Sequence, residues 1–425
     1  MCKKSFNNKI INFNLIKTLS TMLVLSINSG LVYSFLVIVS TTYFKDIGLE
    51  ISVIGFTSIK MMPYSLKYLW SSFIENNSIS FFRQNFDIKQ SYILYTQLFL
   101  IIFIGFFGYI PIESNVVFLI LYLLIVGFLG ATHDIAMEAY RIETFLIKNI
   151  GIGNIMAVYG FKVGFIISGV FCLYLSTIID WKYIFILLSL FIFFCMLVTY
   201  RCQYKSQYQV SGHNKKDKKI RGFNNLIESL KTLISIPRFK FIIIIIAFYK
   251  ASDAYLDTLS IPFLLEVGFS KSEIAGTAKL FGLIGTIIGT FIGGVLVSKI
   301  SLKYSLFSAE ILSSITNLQF FILLKIKANL ILLGLVNLIE SISYGISNIV
   351  LMTYMSSLCH KNYAATHYAI LISLSTFTRS LLAPTSGIVV QKFGWQNFFI
   401  ISSLISVPSV LCILFLYFYK KQNYE

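Results

Sequence analysis

Twelve hydrophobic runs, most of them near or above the twenty residues a helix needs to cross a bilayer, follow one another along this chain. Only short polar, Gly, Pro or Asn breaks separate them. A backbone buried in hydrocarbon must satisfy its own hydrogen bonds, and continuous apolar runs of this length do so as helices. The expected spans are residues 14–43, 51–75, 90–110, 115–142, 151–179, 182–201, 239–265, 272–298, 304–324, 328–357, 364–391 and 395–419. The chain is 56% hydrophobic, only 12% charged and has a mean hydropathy of +0.79, outside the range of soluble domains. Residues 15–44 are too long for the apolar part of a signal peptide, and no small-residue cleavage site follows, so they read as the first span. The expectation is an all-α, multi-pass membrane protein.

The net charge of +17 sits mostly between the hydrophobic runs, which excludes a folded basic domain for nucleic acid and points to orientation by the positive-inside rule. The longest polar segment, 202–238, holds Lys215, Lys216, Lys218, Lys219 and Arg221 and reads as a cytoplasmic linker. It divides the chain into an N-terminal six-helix bundle (1–201) and a C-terminal one (239–425). With an even number of spans both termini share its side, in agreement with Lys3, Lys4, Lys9, Lys17, Lys420 and Lys421. Cys2, Cys172, Cys195, Cys202, Cys359 and Cys412 show no ligand spacing, so no metal, disulfide or cofactor is expected.

The halves echo each other. Ile47-Gly48-Leu49 after the first span resembles Val267-Gly268-Phe269 after the seventh, with Lys60 and Lys279 following at nearly the same distance. Lys162 precedes Gly169 as Arg379 precedes Gly387, and the sixth and twelfth spans open with Trp181-Lys-Tyr and Trp395-Gln-Asn. Together these favour a duplicated six-helix unit, the parallel repeat of the major facilitator architecture.

Charges inside the runs are costly, roughly 2.5–3.5 kcal/mol each at a helix centre, and must face a cavity or one another. The fourth span carries His133-Asp134-Ile135-Ala136-Met137-Glu138-Ala139-Tyr140-Arg141-Ile142-Glu143, with Asp134, Glu138 and Arg141 on one helical stripe and Glu143 opposite. The second span offers a stripe of Lys60, Tyr64 and Lys67 around Pro63; the seventh, Lys250, Asp253 and Asp257; the tenth, Asn337, Glu340, Ser341, Tyr344 and Asn348. Lys162, Lys279 and Arg379 add single cations to the fifth, eighth and eleventh spans. In a facilitator bundle, helices 1, 4, 7 and 10 line the cavity and 2, 5, 8 and 11 flank it, and the charges follow that division. Glu310 in the ninth span is the exception, expected to pair with Lys299 or Lys303 near the inner end. Two readings of the set stay open: buried ion pairs that only hold helices together, or a cavity for an anionic polar solute with carboxylates that take up and release a proton.

Specific strings also resemble a known family, the AmpG-type muropeptide permeases of the major facilitator superfamily, relatives of acetyl-CoA transporters. Met62-Pro63-Tyr64-Ser65-Leu66-Lys67-Tyr68-Leu69-Trp70 is similar to the family's Pro-Tyr-x-Leu-Lys-Phe-x-Trp string, and the run from His133 to Arg141 to its Gln-Asp-Ile-x-Ile-Asp-Ala-Tyr-Arg string. Ser252-Asp253-Ala254-Tyr255 to Pro262-Phe263-Leu264, Lys279-Leu280-Phe281-Gly282, Ala365-Thr366-His367-Tyr368-Ala369 and Gly394-Trp395-Gln396-Asn397-Phe398-Phe399 fit likewise. Glu138 stands where the family has Asp, His133 where it often has Gln, and Glu75 ends the Trp70 string in place of its Asp.

The resemblance implies proton-driven import of anhydro-muropeptides, released in peptidoglycan turnover, across the bacterial inner membrane. Its partners would be an anionic glycopeptide, protons and membrane lipid, and the protein would act as a monomer and not as an enzyme. Asp134, Glu138, Asp253, Asp257 and Glu340 are then the candidate proton-coupling groups. The candidate substrate contacts are Asn28, Tyr33, Lys60, Tyr64, Lys67, Lys162, Lys250, Lys279, Asn337, Tyr344, Asn348 and Arg379, with Glu75 and Arg141 as gating residues. Rival readings are another anionic solute in the same fold (an acyl-CoA, a nucleotide or a siderophore), a receptor-like sensor that binds ligand without moving it, and a polyprenyl transferase whose Asp253/Asp257 and Asp134/Glu138 pairs hold magnesium on a diphosphate.

Overall fold

A computed structural model describes residues 2–49, 57–76, 86–110, 116–145, 149–202, 222–326, 329–382 and 385–418. Every regular element among them is helical. Among the described residues nine helices are long and apolar enough to cross a membrane, or ten if the bent pair Asn225–Ile234 with Phe239–Val267 counts as one span.

The expected second, seventh and eleventh spans depart from simple rods, whereas the fourth, with Asp134, Glu138, Arg141 and Glu143, is one unbroken helix, Val116–Thr144. The second consists of a 3₁₀ turn Thr57–Met61, a short helix Met62–Leu66 with Pro63 in its first turn, and Tyr68–Asn76. The stripe expected of Lys60, Tyr64 and Lys67 is therefore not regular, because the chain changes helix type after Met61, although Lys67 itself keeps helical backbone angles (φ −55°, ψ −24°). The seventh is split between Phe239–Phe248 and Ala251–Val267, with Lys250 at the joint (φ −107°, ψ 5°). The eleventh runs through Ala364–Leu382 and into Ser386–Leu404, which leaves helical geometry at Gly394 (φ 76°, ψ 171°), the boundary expected between the last two spans.

The helices group into two compact units. The first comprises Met1–Leu146, Met156–Leu230 and His360–Ala369; the second, Ile147–Ile155, Lys231–Cys359 and Ile370–Glu425. In the first, Phe35, Phe107 and Phe185 meet edge to face, with ring centroids 5.0–6.0 Å apart, over buried Leu100, Leu119 and Ile184. The second has its own aromatic centre, in which Phe263 meets Phe399 edge to face at 4.8 Å and Phe320 lies against both.

The sequence echoes become matching structure. Gly48 (φ 81°) and Gly268 (φ 108°) each end a helix in the left-handed conformation that a side chain disfavours. The residue after each returns a hydrogen bond over five positions: Leu49 N to Phe44 O at 3.0 Å and Phe269 N to Leu264 O at 3.1 Å. Two residues before each glycine an acid takes a tryptophan N–H, Trp181 Nε1 to Asp46 Oδ2 at 3.1 Å and Trp395 Nε1 to Glu266 Oε2 at 2.9 Å. Close helix crossings rest on glycine in both units. A methyl group at Gly164 would collide with the backbone of Ile27 and one at Gly289 with that of Ile342.

Candidate functional site

In the first unit the helix Val116–Thr144 presents its carboxylates to two neighbours. Asp134 Oδ1 accepts a short hydrogen bond from Ser29 Oγ on the Cys2–Ser34 helix. One turn on, both oxygens of Glu138 accept from Lys67 Nζ, at 3.2 and 3.1 Å. The side chains of this pair are only 5% and 11% exposed. Lys67 reaches Glu138 from between the helices Met62–Leu66 and Tyr68–Asn76, where its own backbone stays helical (φ −55°, ψ −24°). Desolvating two charges costs several kcal/mol each, offset only where geometry is good, and the bidentate contact supplies that.

Around this pair lie buried polar atoms with no hydrogen-bond partner among the described residues: both amide atoms of Asn28, the Tyr64 hydroxyl, both nitrogens of His133, and Nε and Nη2 of Arg141. Tyr64 meets Tyr33 edge to face at 5.5 Å. His133 Nδ1 stands 4.0 Å from Asp134 Oδ1. Arg141, expected beside Glu138 and Asp134, is fully buried with its guanidinium 4.7 Å from the ring centroid of Tyr368, and makes no salt bridge with a described residue. Lys60 is also buried, but its ammonium is taken by Ser40 Oγ and Thr41 Oγ1, each at 2.9 Å, beside the ring of Phe44. Lys162 is half-buried with no ion pair among the described residues.

At the end of the second span, Glu75 accepts from the backbone N–H of Ala365 (2.8 Å) and from Thr366 Oγ1 (2.5 Å), capping the helix Ala364–Leu382. Lys89 Nζ stands 3.9 Å from Glu143, and both charges act on Glu75. His367 Nδ1 accepts from the His360 N–H at 3.2 Å, which makes its Nε2 the donor to Ser229 O at 3.0 Å.

In the second unit Asp253 lies in the first turn of Ala251–Val267 and accepts from Lys250 Nζ at 2.8 Å and Ser313 Oγ at 2.5 Å. Lys250 Nζ also lies 3.6 Å from the ring centroid of Tyr344. Asp257 is exposed, and half-buried Glu340 lies within electrostatic reach of Asp257, Asp253 and Lys250. Asn337 Nδ2 donates to Thr277 Oγ1 at 3.1 Å, while Asn348 is half-buried. Glu310 does not pair with a lysine as expected. It is fully buried and accepts from Ser409 Oγ at 2.6 Å, because the helix turns it inward, away from the basic end. The side chains of Lys279 and Arg379 lie outside the described residues.

The structure thus gathers Asp134, Glu138 and Lys67 with Asn28, Tyr33 and Tyr64 in one unit, and Lys250, Asp253, Glu340 and Tyr344 in the other. Sequence reasoning did not find Ser29, Ser313 and Ser409, the hydroxyls that hold three of the carboxylates. Serine is common in apolar helices and carries no periodic signal, so only the tertiary structure selects these three.

Long apolar helices thus hold paired charges between them, which in a membrane protein marks a functional site. The Major Facilitator Superfamily profile matches residues 19–383, and the chain belongs to that family. A Rickettsia felis protein named "Putative transporter AmpG 4" is 29% identical over 92% of this chain and 95% of its own length. A Rickettsia typhi protein named "Putative transporter AmpG 3" is 29% identical over 94% and 96%. The solved structure of the human organic anion transporter MFSD10 (TETRAN), 13% identical, superimposes with a TM-score of 0.67 over 93% of this chain and 99% of that one, a likeness of fold.

Proposed function

We propose that this protein imports anhydro-muropeptides across the bacterial inner membrane by proton symport, as a monomer with both termini in the cytoplasm. The observation that carries the reading is the Lys67–Glu138 pair beside the Asp134–Ser29 contact, assembled from the two strings that resemble the AmpG family most specifically. The names of the rickettsial relatives support the same family assignment.

In this reading Asp134, with a hydroxyl partner and no Lys or Arg paired to it among the described residues, takes up and releases the proton, and Glu138 and Asp253 change partners as the carrier cycles. Asp257 and Glu340 add acceptors beside Asp253. Lys67 and Lys250 each hold a carboxylate when substrate is absent, and a peptide carboxylate of the solute competes for them. Lys162, Lys279 and Arg379 supply further cations; Asn28, Tyr33, Tyr64, Asn337, Tyr344 and Asn348 meet sugar hydroxyls and amides, and Glu75 and Arg141 act in gating.

The test is uptake of labelled anhydro-muropeptide by proteoliposomes, with and without an inward proton gradient. Gradient-dependent accumulation is expected, insensitive to chelators. Failure to accumulate under conditions where an established permease works removes this substrate, and accumulation of an acyl-CoA or nucleotide instead redirects the same site to another anion.

A further inference from the structure

We propose that Glu310 is a proton-binding site in the second unit, which holds a proton in the absence of solute and passes it to Asp253 through the Ser313 hydroxyl. The transport reading above makes no use of this carboxyl group. It lies on the helix Leu302–Asn317, in the ninth span, and is fully buried, yet no lysine, arginine or histidine pairs with it among the described residues. An isolated buried carboxylate is far costlier than a neutral carboxyl group.

The hydrogen bonds around it locate the proton. Ser409 Oγ stands 2.6 Å from Glu310 Oε1 and 2.7 Å from the carbonyl oxygen of Ser406. A hydroxyl has one hydrogen, too few to fill both short contacts. With a proton on Oε1 both are satisfied, because Glu310 then donates to Ser409 Oγ and Ser409 donates to Ser406 O. The other oxygen, Oε2, is buried without a partner among the described residues, a place that suits a carbonyl oxygen and not half of a negative charge. The nearby Tyr249 hydroxyl gives its hydrogen to Leu306 O, at 3.3 Å.

Counting charges leads to the same place. Lys250 and Asp253 of the seventh span act on Glu310, as Glu310 does on Tyr249 beside them. From the tenth span Glu340 and Tyr344 face that same lysine. One ammonium, bonded to Asp253 at 2.8 Å, balances one carboxylate, so Asp253 and Glu310 hold one proton between them. Ser313 gives that proton a route. It lies one turn after Glu310 on the same helix, is buried, and donates to Asp253 Oδ1 at 2.5 Å. When Glu310 turns from Ser409 to Ser313, its O–H bond breaks and the proton joins Ser313 Oγ as the hydrogen of Ser313 goes to Asp253. Glu310 is left ionised, Asp253 neutral and the serine unchanged, with no change in net charge. Lys250, released by the neutral Asp253, then meets a carboxylate of the solute; that use rests on the symport reading, whereas the site does not.

The experiment is infrared difference spectroscopy of the full chain in proteoliposomes at neutral pH, in the region where the carbonyl stretch of a carboxylic acid stands clear of carboxylates and amides. A buried acid band is expected in the unaltered protein. Glu310→Gln should abolish it, and Ser409→Ala, which removes its hydrogen-bond partner, should raise its frequency. Hydrogen exchange in Leu302–Asn317 should be the same in the Gln variant, so that loss of the band is not loss of the fold. Identical spectra for the unaltered protein and Glu310→Gln overturn the proposal. Bleaching of the band when sodium replaces choline in the medium also overturns it, by assigning the site to a metal cation. In proteoliposomes that pass the accumulation test, solute should replace the Glu310 band by a second one that Asp253→Asn lacks; a Glu310 band unmoved by solute there overturns the transfer. The first comparison involves no solute, so failure of the substrate assignment leaves the site standing.

Discussion

The two units share their corners and differ at their charges. Gly48 and Gly268 close the same backbone turn and Trp181 and Trp395 lock it in the same way, yet the ion pairs behind those turns are built differently. In the first unit Glu138 is held by a lysine from another element, with both side chains nearly sealed from solvent. In the second Asp253 is held by Lys250 from three residues earlier on the same chain segment, with the lysine 15% exposed and backed by the Tyr344 ring. The contacts that shape the corners match between the units, and the charges behind them do not. The first pair ties two elements together; the second sits at one helix start, where Ser313 of the helix Leu302–Asn317 also holds Asp253.

The largest expected effect follows from that contrast. Glu138→Gln strands the Lys67 ammonium in a sealed site and should cost about 3–5 kcal/mol, read as a lowered unfolding midpoint in detergent. Asp253→Asn leaves Lys250 with its ring and partial hydration, and about 1.5–3 kcal/mol is expected. Equal losses would erase the distinction between the pairs. The double variant Lys67→Met/Glu138→Gln sharpens it, since removing both charges should recover most of the stability while abolishing accumulation.

The helix caps give a smaller effect. Glu75 caps Ala364–Leu382 from 289 positions earlier in sequence, whereas Ser270 and Glu273 cap Lys271–Lys299 locally through a reciprocal box. Loss of either cap should cost about 1–2 kcal/mol. Hydrogen exchange separates them: Glu75→Ala should release the Ala365 amide and leave the Lys271–Lys299 helix untouched. Smallest are Trp181→Phe and Trp395→Phe, each removing one exposed hydrogen bond for about 0.5–1.5 kcal/mol. The two losses should match, and a clear inequality would show that the corners are not equivalent.

What the chain disclosed in advance follows the same division. The two glycine corners and the two tryptophans are local signals, and the structure places them as read, while of the twelve apolar runs nine or ten stand as candidate spans among the described residues. Lys67, Glu138, Lys250 and Asp253 were legible because charge in hydrocarbon is costly wherever it occurs. Partner choice was not legible. Arg141 turned to the ring of Tyr368 and Glu310 to Ser409, while Lys60 went to Ser40 and Thr41. Helix rotation decides such pairings, and a stripe of residues one turn apart does not specify its neighbour. The change of helix type after Met61 was hidden for a related reason: Pro63 marks an irregularity but does not say which residues form the tighter turn.

The central claim is that buried carboxylates on the Val116–Thr144 helix couple proton movement to solute movement. Asp134→Asn tests it most directly, because that side chain is held by the Ser29 hydroxyl and pairs with no Lys or Arg among the described residues. Proteoliposomes carrying the variant should still exchange labelled solute across the membrane in counterflow, yet fail to accumulate it when an inward proton gradient is imposed. Accumulation by Asp134→Asn equal to that of the unaltered protein would contradict the account.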